Sequence, residues 1–209
     1  MVAPQIRTCF TSAVAVPSSS APNALARNQA ARRRRVLDAA VRLAERGGFE
    51  TVQMRDVAAE ANVALGTVYR YFTSKERLLL EAMVEQVRAL AGRVEEEPPV
   101  GATPAERVVD VLARATASLQ RHSEVTAAMV RANGSAQPSE SDCVRAVREL
   151  MTGIITSAIH EGPPSPRDLA VARVLQQVWL SALIGWVGGV DEAPRVTADL
   201  DSAAHLLLD

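Results

Sequence analysis

Two short helical segments separated by three residues constrain this chain more than any other feature of its sequence. Apolar spacing predicts one helix over 53–61 and a second over 65–72, with Asn62, Val63 and Ala64 between them. Asn tolerates the left-handed backbone conformation that so tight a turn requires. Two short helices joined in this way are typical of a helix-turn-helix.

The predicted unit has a buried face and an exposed face. Its small core would pack against Leu37, Val41 and Phe49 of a preceding helix and would consist of Val52, Val57, Ala58, Val63, Val68 and Phe72. The other face of the second helix would meet the major groove of DNA and its flanking phosphates with Gly66, Thr67, Tyr69, Arg70 and Tyr71. Lys75 follows at the start of the next helix, where the helix dipole favours a phosphate contact.

Apolar residues in the rest of the chain also recur at helical spacing, and no strand-like alternation of useful length occurs. A helix over 28–46 ends at Gly47-Gly48, Ser74 offers the N-cap of a long helix to about Glu97, and further helices are predicted over 103–121, 123–132, 140–161, 166–187 and 195–208. The predicted fold is all-α with about nine helices in two domains, a DNA-binding domain over 28–75 and a helical body over 76–209. Residues 1–27 are expected to form a disordered tail rather than a signal peptide.

Charge is divided unevenly along the chain. Residues 27–77 carry eleven Arg or Lys against six acids, whereas residues 78–209 carry eleven against eighteen. A basic first third joined to an acidic remainder indicates a polyanionic partner for the front part alone. The run Arg32 to Arg35 either contacts DNA or forms a solvated basic face, and the sequence leaves both interpretations open.

The segment TVQMRDVAAEANVALGTVYRYFTSKERL resembles the helix-turn-helix of the TetR family of transcriptional repressors, whose recognition helix reads GTxYxYF and is followed by SKxxL. The resemblance implies that Arg55 reaches a base edge, that Thr67 and Tyr71 lie in or beside the groove, and that Tyr69 and Lys75 hold phosphates. Arg70 is our own candidate for a second base reader, because Arg pairs well with guanine. Ala64 departs from the usual Ser or Thr, so this helix lacks a side-chain N-cap.

Within that family, the motif variant together with LQRHSEVTAAMVRA at 119–132 and VWLSALIGW at 178–186 is similar to actinobacterial repressors of sterol catabolism. This resemblance implies a homodimer that binds a palindromic operator and is released by an apolar effector, a sterol or fatty acyl-CoA. A regulator of drug efflux or another pathway, with a different ligand, is the alternative.

The body has only two aromatic residues, Trp179 and Trp186, so any effector cavity there must be mainly aliphatic. The residues expected near the cavity are Met83, Leu112, Met129, Met151, Ile155, Trp179 and Leu183, although each is also compatible with plain core packing. The small residues Ser181, Gly185 and Gly189 recur every four positions and predict a close helix contact at a dimer interface. Family members usually dimerise through their last two long helices, here 166–187 and 195–208.

Other classes of function receive little support. The three histidines lie far apart without HExxH or another metal-ligand spacing, no GxSxG occurs, and Lys75 lacks the glycines of a P-loop, so neither an enzyme nor a metal or cofactor site is expected. Cys9 and Cys143 form no CxxC pair, which fits a reducing cytoplasm. The apolar run near 180–190 is interrupted by Ser and Gly, so no membrane-spanning helix is expected.

Overall fold

The computed structural model describes residues 24–209, and within them the chain forms nine α-helices and no strand. The helices are α1 (Ala24–Thr51), α2 (Met54–Glu60), α3 (Leu65–Tyr71), α4 (Lys75–Glu96), α5 (Pro104–Arg121), α6 (Ser123–Gly134), α7 (Ser141–Ile159), α8 (Pro166–Val187) and α9 (Ala193–Leu208). A single 3-10 turn, Pro138–Glu140, leads into α7. The predicted all-α class and helix number are confirmed.

Two helix starts differ from the sequence prediction. The first helix begins at Ala24, inside the segment expected to be a disordered tail; residues 1–23 of that segment lie outside the described part of the chain. The last helix begins at Ala193 rather than 195, because Pro194 occupies its first turn, where a missing backbone N–H costs no hydrogen bond. The regular part of α1 ends at Gly47-Gly48 as predicted, and Gly48 has φ +68° there.

Side-chain caps begin several of the longer helices. Ser74 accepts a hydrogen bond from the backbone N–H of Arg77 at the start of α4. Capping boxes begin α5, with Thr103 and Glu106, and α8, with Ser165 and Asp168. In contrast, α2 and α3 have no side-chain cap at all, which confirms the missing cap predicted at Ala64.

The buried side chains form two hydrophobic clusters that meet along α4. The first cluster joins α1, α2 and α3 to the first half of α4 and to α6, which contributes Val125, Ala128, Met129 and Ala132. The second cluster joins the end of α4 to α5, α8, α9 and most of α7. The helix-turn-helix therefore shares its core with α6, a helix that belongs to the body in sequence.

The predicted ridge of small residues on α8 is wrong in part. The helix ends at Val187, and Gly189 lies beyond it with φ +71°, so that its N–H bonds Trp186 O while Val190 N–H bonds Gly185 O. A Cβ on Gly185 would meet the carboxylate of Asp191 in the same chain. Gly185 thus contributes its carbonyl to this helix-ending turn, and its missing side chain leaves room for the Asp191 carboxylate.

The apolar length of α8 also exceeds the sequence expectation. Its 22 residues have a mean hydropathy of 1.3 over an 18-residue window, enough by length and composition to cross a membrane. Only a third of that window is buried within the protein. The exposed apolar side chains Leu169, Val174 and Ile184 lie on this helix, and Leu206 on α9 is 85% exposed.

Candidate DNA-binding surface and effector cavity

The turn between α2 and α3 has the predicted geometry. Asn62 has φ +53°, and it is the only described residue other than Gly with a positive φ. The following Val63 donates its N–H to Ala58 O at 3.0 Å, and Ala58 is buried where the two helices approach each other. The tight turn therefore fixes the angle between α2 and the recognition helix α3.

The outer face of α3 is free for a partner. Gly66, Tyr69 and Arg70 are exposed, and Thr67 is half-buried at the edge of this face. A Cβ on Gly66 would meet nothing within 4 Å, so the packing of the protein itself does not require glycine there. The guanidinium of Arg70 lies 5.4 Å from the centre of the Tyr71 ring.

Arg55 stands at the start of α2 with its side chain exposed. No described carboxylate pairs with Arg55 or Arg70, whereas Arg42 and Arg46 of α1 both bind Glu60 of α2 at 2.9 Å. These two pairs lower the pKa of the Glu60 carboxyl, chiefly through the hydrogen bond from Arg42. Arg55 and Arg70 keep their full charge available for DNA.

Tyr71 departs from its predicted position in or beside the groove. Its ring packs against the first hydrophobic cluster, and its hydroxyl is buried without a hydrogen-bond partner among the described residues. The reason is helical geometry: Tyr71 lies three residues after the fully buried Val68, so both side chains share the inward face of α3, whereas Tyr69 is 51% exposed. Tyr69 is the exposed tyrosine of this helix.

Lys75, the predicted phosphate contact, has partners within the DNA-free protein. Its Nζ lies 4.0 Å from the centre of the Phe49 ring and 3.8 Å from a carboxylate oxygen of Glu50, and its side chain is only 21% exposed. Arg131 of α6 contacts the same ring at 4.6 Å and binds Glu50 at 2.8 Å. The kink at Gly47-Gly48 brings Phe49 between these two cations, which joins the start of α4 to α6.

A cavity of about 630 Å³ lies inside the body, between the two hydrophobic clusters. Its walls come from α4, α5, α6, α7 and α8. This volume falls within the range typical of small-molecule sites, about 300–1,000 Å³. Most of the wall is aliphatic, with side chains such as Val87, Leu90, Val147, Leu180 and Leu183.

Five of the seven residues expected near the cavity line it, namely Met83, Met129, Met151, Trp179 and Leu183. Leu112 and Ile155 do not, and each is only 1% exposed within the second hydrophobic cluster. Both sit on the sides of α5 and α7 that face other helices, where their apolar character serves core packing. We therefore remove these two residues from the candidate site.

Trp179 is held in the cavity wall by a hydrogen bond. Its Nε1–H donates to Thr116 Oγ at 3.0 Å, and the Thr116 hydroxyl in turn donates to Leu112 O at 2.7 Å. Thr116 is buried, so both polar groups are satisfied away from solvent. The indole ring is consequently fixed in one orientation against the cavity.

The cavity has a polar rim that the sequence analysis missed. Arg93, Arg148 and Arg173 all line it, together with His122 and Asn133, and no Asp or Glu does. None of the three arginines has a carboxylate partner among the described residues, and residues 1–23 contain no acid. A body rich in acids therefore encloses a cavity whose charged side chains are cationic.

Two of these arginines flank a hydrogen bond between antiparallel helices. Gln176 of α8 donates to Thr152 Oγ of α7 at 2.9 Å, and His160 and Asp168 pair near the loop that joins the two helices. Arg148 lies one turn before Thr152, and Arg173 lies one turn before Gln176. Their backbones are separated by roughly 10 Å along the helix axes, because the two helices run in opposite directions.

A network of polar contacts connects the cavity wall to the helix-turn-helix. The Ser74 hydroxyl, two residues after Phe72, donates to the buried Glu140 carboxylate at 2.6 Å. Arg77 binds Asp142 with two nitrogens, at 2.9 and 2.8 Å. Burial raises the pKa of Asp142, but the hydrogen bond from Arg77, its positive charge and two backbone hydrogen bonds together lower that pKa overall.

Comparison with known proteins gives consistent matches over both parts of the chain. The family model described as "Bacterial regulatory proteins, tetR family" matches residues 36–82, and "Tetracyclin repressor-like, C-terminal domain" matches residues 101–207. The HTH-type transcriptional repressor KstR of Rhodococcus jostii is 41% identical over 180 residues, which are 86% of this chain and 84% of that protein.

Two solved structures are similar to this fold. A TetR transcriptional regulator from Rhodococcus sp. RHA1 has a TM-score of 0.80 and 32% identity, covering 87% of this chain and 97% of that one. FadR of Thermus thermophilus, a TetR-family repressor solved in complex with lauroyl-CoA, has a TM-score of 0.65 and 19% identity, covering 84% of this chain and 92% of that one. At that identity FadR shows the shared fold alone.

Proposed function

Because this chain belongs to the TetR family of bacterial transcriptional regulators, we propose that it is a repressor of lipid or sterol catabolism genes that an acyl-CoA releases from a palindromic operator. It acts in the cytoplasm, where its operator DNA lies. The observation that carries the choice of ligand is a mainly aliphatic cavity lined by three unpaired arginines and no carboxylate.

The cavity chemistry favours an apolar molecule with an anionic head. The aliphatic walls match a fatty or sterol chain, while two tryptophans in the whole body offer little for stacking of planar aromatic rings. Arginine recognises phosphate oxygens through several N–H groups at once. A coenzyme A thioester combines both features, and FadR, which shares this fold, was solved in complex with one, lauroyl-CoA.

Arg148 and Arg173 are the proposed binders of the phosphates of coenzyme A. Their spacing of roughly 10 Å along α7 and α8 suits a ligand that carries several phosphate groups. Leu169, which is 44% exposed, lies one turn before Arg173 at the rim of the cavity. The acyl or sterol part would then extend inward along Met83, Met129, Met151, Trp179 and Leu183.

The DNA-reading residues of the proposal are Arg55, Gly66, Thr67, Tyr69 and Arg70, within a DNA-binding domain over 28–75. Arg55 and Arg70 would read base edges, and Tyr69 and Thr67 would contact phosphates or the groove wall. Gly66 would let the backbone of α3 approach the duplex closely. Tyr71 packs against the first hydrophobic cluster and is left out of this set, whereas Lys75 remains a proposed phosphate contact at the start of α4.

A homodimer through α8 and α9 would present two recognition helices to the operator. The exposed apolar side chains Val174 and Ile184 on α8 and Leu206 on α9 support this interface, because a lone soluble helix pair rarely leaves such a face uncovered. Changing Ile184 to Arg should produce monomers in sedimentation experiments. An unchanged dimer mass would place the interface elsewhere.

Ligand and operator would communicate through α7. The helix contributes Val147, Arg148 and Met151 to the cavity and holds the first turn of α4 through Glu140 and Asp142. A ligand that displaces α7 would therefore move the start of α4 and the recognition helix before it. Ligand and operator would then weaken each other's binding by the same factor.

The proposal is tested by titrating the release of a selected operator. The duplex is first selected from a random pool with the purified protein, and release is followed by fluorescence anisotropy with cholestenoyl-CoA, palmitoyl-CoA, free coenzyme A, free palmitate and a planar cationic dye. Cholestenoyl-CoA or palmitoyl-CoA should release the operator at a lower concentration than free coenzyme A, free palmitate or the dye. Release by the dye, with neither thioester active, would contradict the proposal and favour a drug-efflux regulator.

Two variants sharpen this test. The double variant Arg148→Ala/Arg173→Ala should raise the thioester concentration needed for release by tenfold or more, with operator affinity unchanged. The matched control Arg145→Ala removes an exposed arginine from the same helix that does not line the cavity. Equal effects of the double variant and the control would refute the phosphate assignment.

A further inference from the structure

The basic residues around the helix-turn-helix fall into two groups according to their partners. Paired guanidinium groups include Arg33 with Glu81, Arg34 with Asp38, and Arg42 with Glu60. Between residues 24 and 75, the arginines with no carboxylate partner among the described residues are Arg27, Arg32, Arg35, Arg55 and Arg70. Two of these five are the proposed base readers, and the other three lie in the first turns of α1.

The arginines in the first turns of α1 have no acidic residue before them in the sequence. Asp38 is the first acidic residue of the sequence, so no Asp or Glu precedes it. Arg27, Arg32 and Arg35 are all exposed. Like charges three residues apart on a helix repel each other, so the cluster lowers the stability of the free protein slightly.

Helical geometry places part of this cluster on the side of α1 that faces the helix-turn-helix. Arg35 lies seven residues, about two turns, before Arg42, so both side chains leave α1 on the same side. Arg42 reaches α2 from this side through Glu60. Arg32 lies one turn closer to the start of the helix. The row formed by Arg42, Arg35 and Arg32 therefore extends along α1 beyond its contact with α2.

The other flank of α1 fixes its position relative to the recognition helix. The Arg33 guanidinium lies 5.5 Å from the centre of the Phe72 ring, which caps the end of α3. Arg33 also binds Glu81 of α4. The start of α1 is therefore held beside the C-terminal end of α3, and its unpaired arginines flank the surface proposed to enter the major groove.

We propose that Arg27, Arg32 and Arg35 form a second DNA-contacting surface, which binds backbone phosphates of the operator outside the base pairs read by α3. The partner is recognised by charge alone, because flexible arginines on an exposed helix neutralise phosphates without reading sequence. The positive end of the α1 dipole adds to the attraction. This inference rests on the proposed operator binding and extends its footprint.

The test measures how operator affinity depends on salt. The variant Arg32→Ala/Arg35→Ala keeps the helix, because Ala is the best helix former and both positions are exposed. Each phosphate contact contributes about 0.9 to the slope of log K against log salt. Because the proposed homodimer carries two copies of each arginine, the variant removes four contacts and the slope should become shallower by about 3.6. Affinity should fall by the same factor for the selected operator and for a scrambled duplex.

A matched control and a second readout make the outcomes distinct. The variant Arg121→Ala/Arg145→Ala removes the same charge from exposed positions of the body and should leave the slope unchanged. Hydroxyl-radical footprinting should show that only the α1 variant loses protection at the flanks of the site. If the wild-type protein binds no selected operator, the proposed function fails.

If the wild-type protein binds and the α1 variant keeps its slope and flanking protection, this inference alone is overturned. A loss confined to one operator position would also overturn it, because base reading would then replace phosphate binding. Adding Arg27→Ala to the double variant removes one further contact per protomer and should make the slope shallower by roughly two more.

Discussion

The helices that face DNA and the helices that enclose the cavity begin in different ways. Neither α2 nor α3 has a side-chain cap, and each is only seven residues long. In contrast, α5 and α8 begin with capping boxes and a proline in the first turn, and they contain 18 and 22 residues. Isolated helices shorter than about 12–15 residues are marginal in water. The DNA-reading helices therefore depend on burial, whereas α5 and α8 also carry their own start signals.

The largest effect should come from removing the side chain on which α2 and α3 depend most. Phe72 is fully buried, so Phe72→Ala should lower the free energy of unfolding by about 3–5 kcal/mol. Hydrogen exchange should show faster exchange throughout α2 and α3. The matched body variant Leu175→Ala, also at a fully buried position, should leave the exchange of α2 and α3 unchanged, and equal loosening by both variants would contradict the distinction.

Loss of a proposed base reader should have a smaller effect and should act on binding alone. Arg55→Ala should weaken operator binding by about 1–3 kcal/mol and relax base preference at one position per half-site. Lys75→Ala should weaken binding to all operator variants alike and make its salt dependence shallower, and because Lys75 also contacts Phe49, it should lower stability as well. Anisotropy with single-base operator variants separates these results. A uniform loss across all variants for Arg55→Ala would remove its base-reading role.

Removing a cap from a body helix and adding one to the recognition helix should change the free energy of unfolding by about 1 kcal/mol in opposite directions. Thr103→Ala removes a capping box from α5 and should cost about 0.5–2 kcal/mol, whereas Ala64→Ser adds a cap to α3 and should stabilise it by a similar or smaller amount. Urea denaturation measures both changes. No gain from Ala64→Ser would show that the tertiary contacts of α3 already fix its first turn.

The smallest effect concerns pH and should be confined to the body, which contains all three histidines. A hydrogen bond to the Glu161 carbonyl and one to Asp168 raise the pKa of His160. Since the folded pKa is raised, the stabilisation is complete below about pH 6.5 and is lost as pH rises through the folded value. The stability difference between the wild type and His160→Gln should therefore shrink as pH rises above about 6.5. A difference that grows with pH would contradict this sign.

The sequence was most informative where a local pattern determines a structure. The turn at Asn62, the cap at Ser74 and the end of the first regular helix at Gly47-Gly48 all depend on nearby residues, and each was predicted. The side of a helix on which a given residue lies was harder to predict. Hydrophobic character alone could not show that Leu112 points into the core while Leu183 lines the cavity.

The polar features of the site were missed because they depend on pairing between distant segments. Arg148 and Arg173 become neighbours only when α7 and α8 pack antiparallel, and Glu140 is buried only because α7 docks on the first turn of α4. A usable signal was present in the short connection over 160–165, which predicts an antiparallel pair. Comparing the charged positions of those two helices would have identified both arginines as candidate site residues.

The shared core of α6 and the helix-turn-helix limits how this protein can be recombined with its relatives. A hybrid joined at residue 75 would inherit the buried faces of α1 and α3 without Val125, Ala128 and Met129, the α6 side chains that cover this core. It would also lose Arg131, which holds Phe49 from the side opposite Lys75. Engineers who wish to transfer the operator preference of this chain to another sensor should therefore transplant α6 together with the first 75 residues, or redesign the recipient's α6 to present the same apolar face.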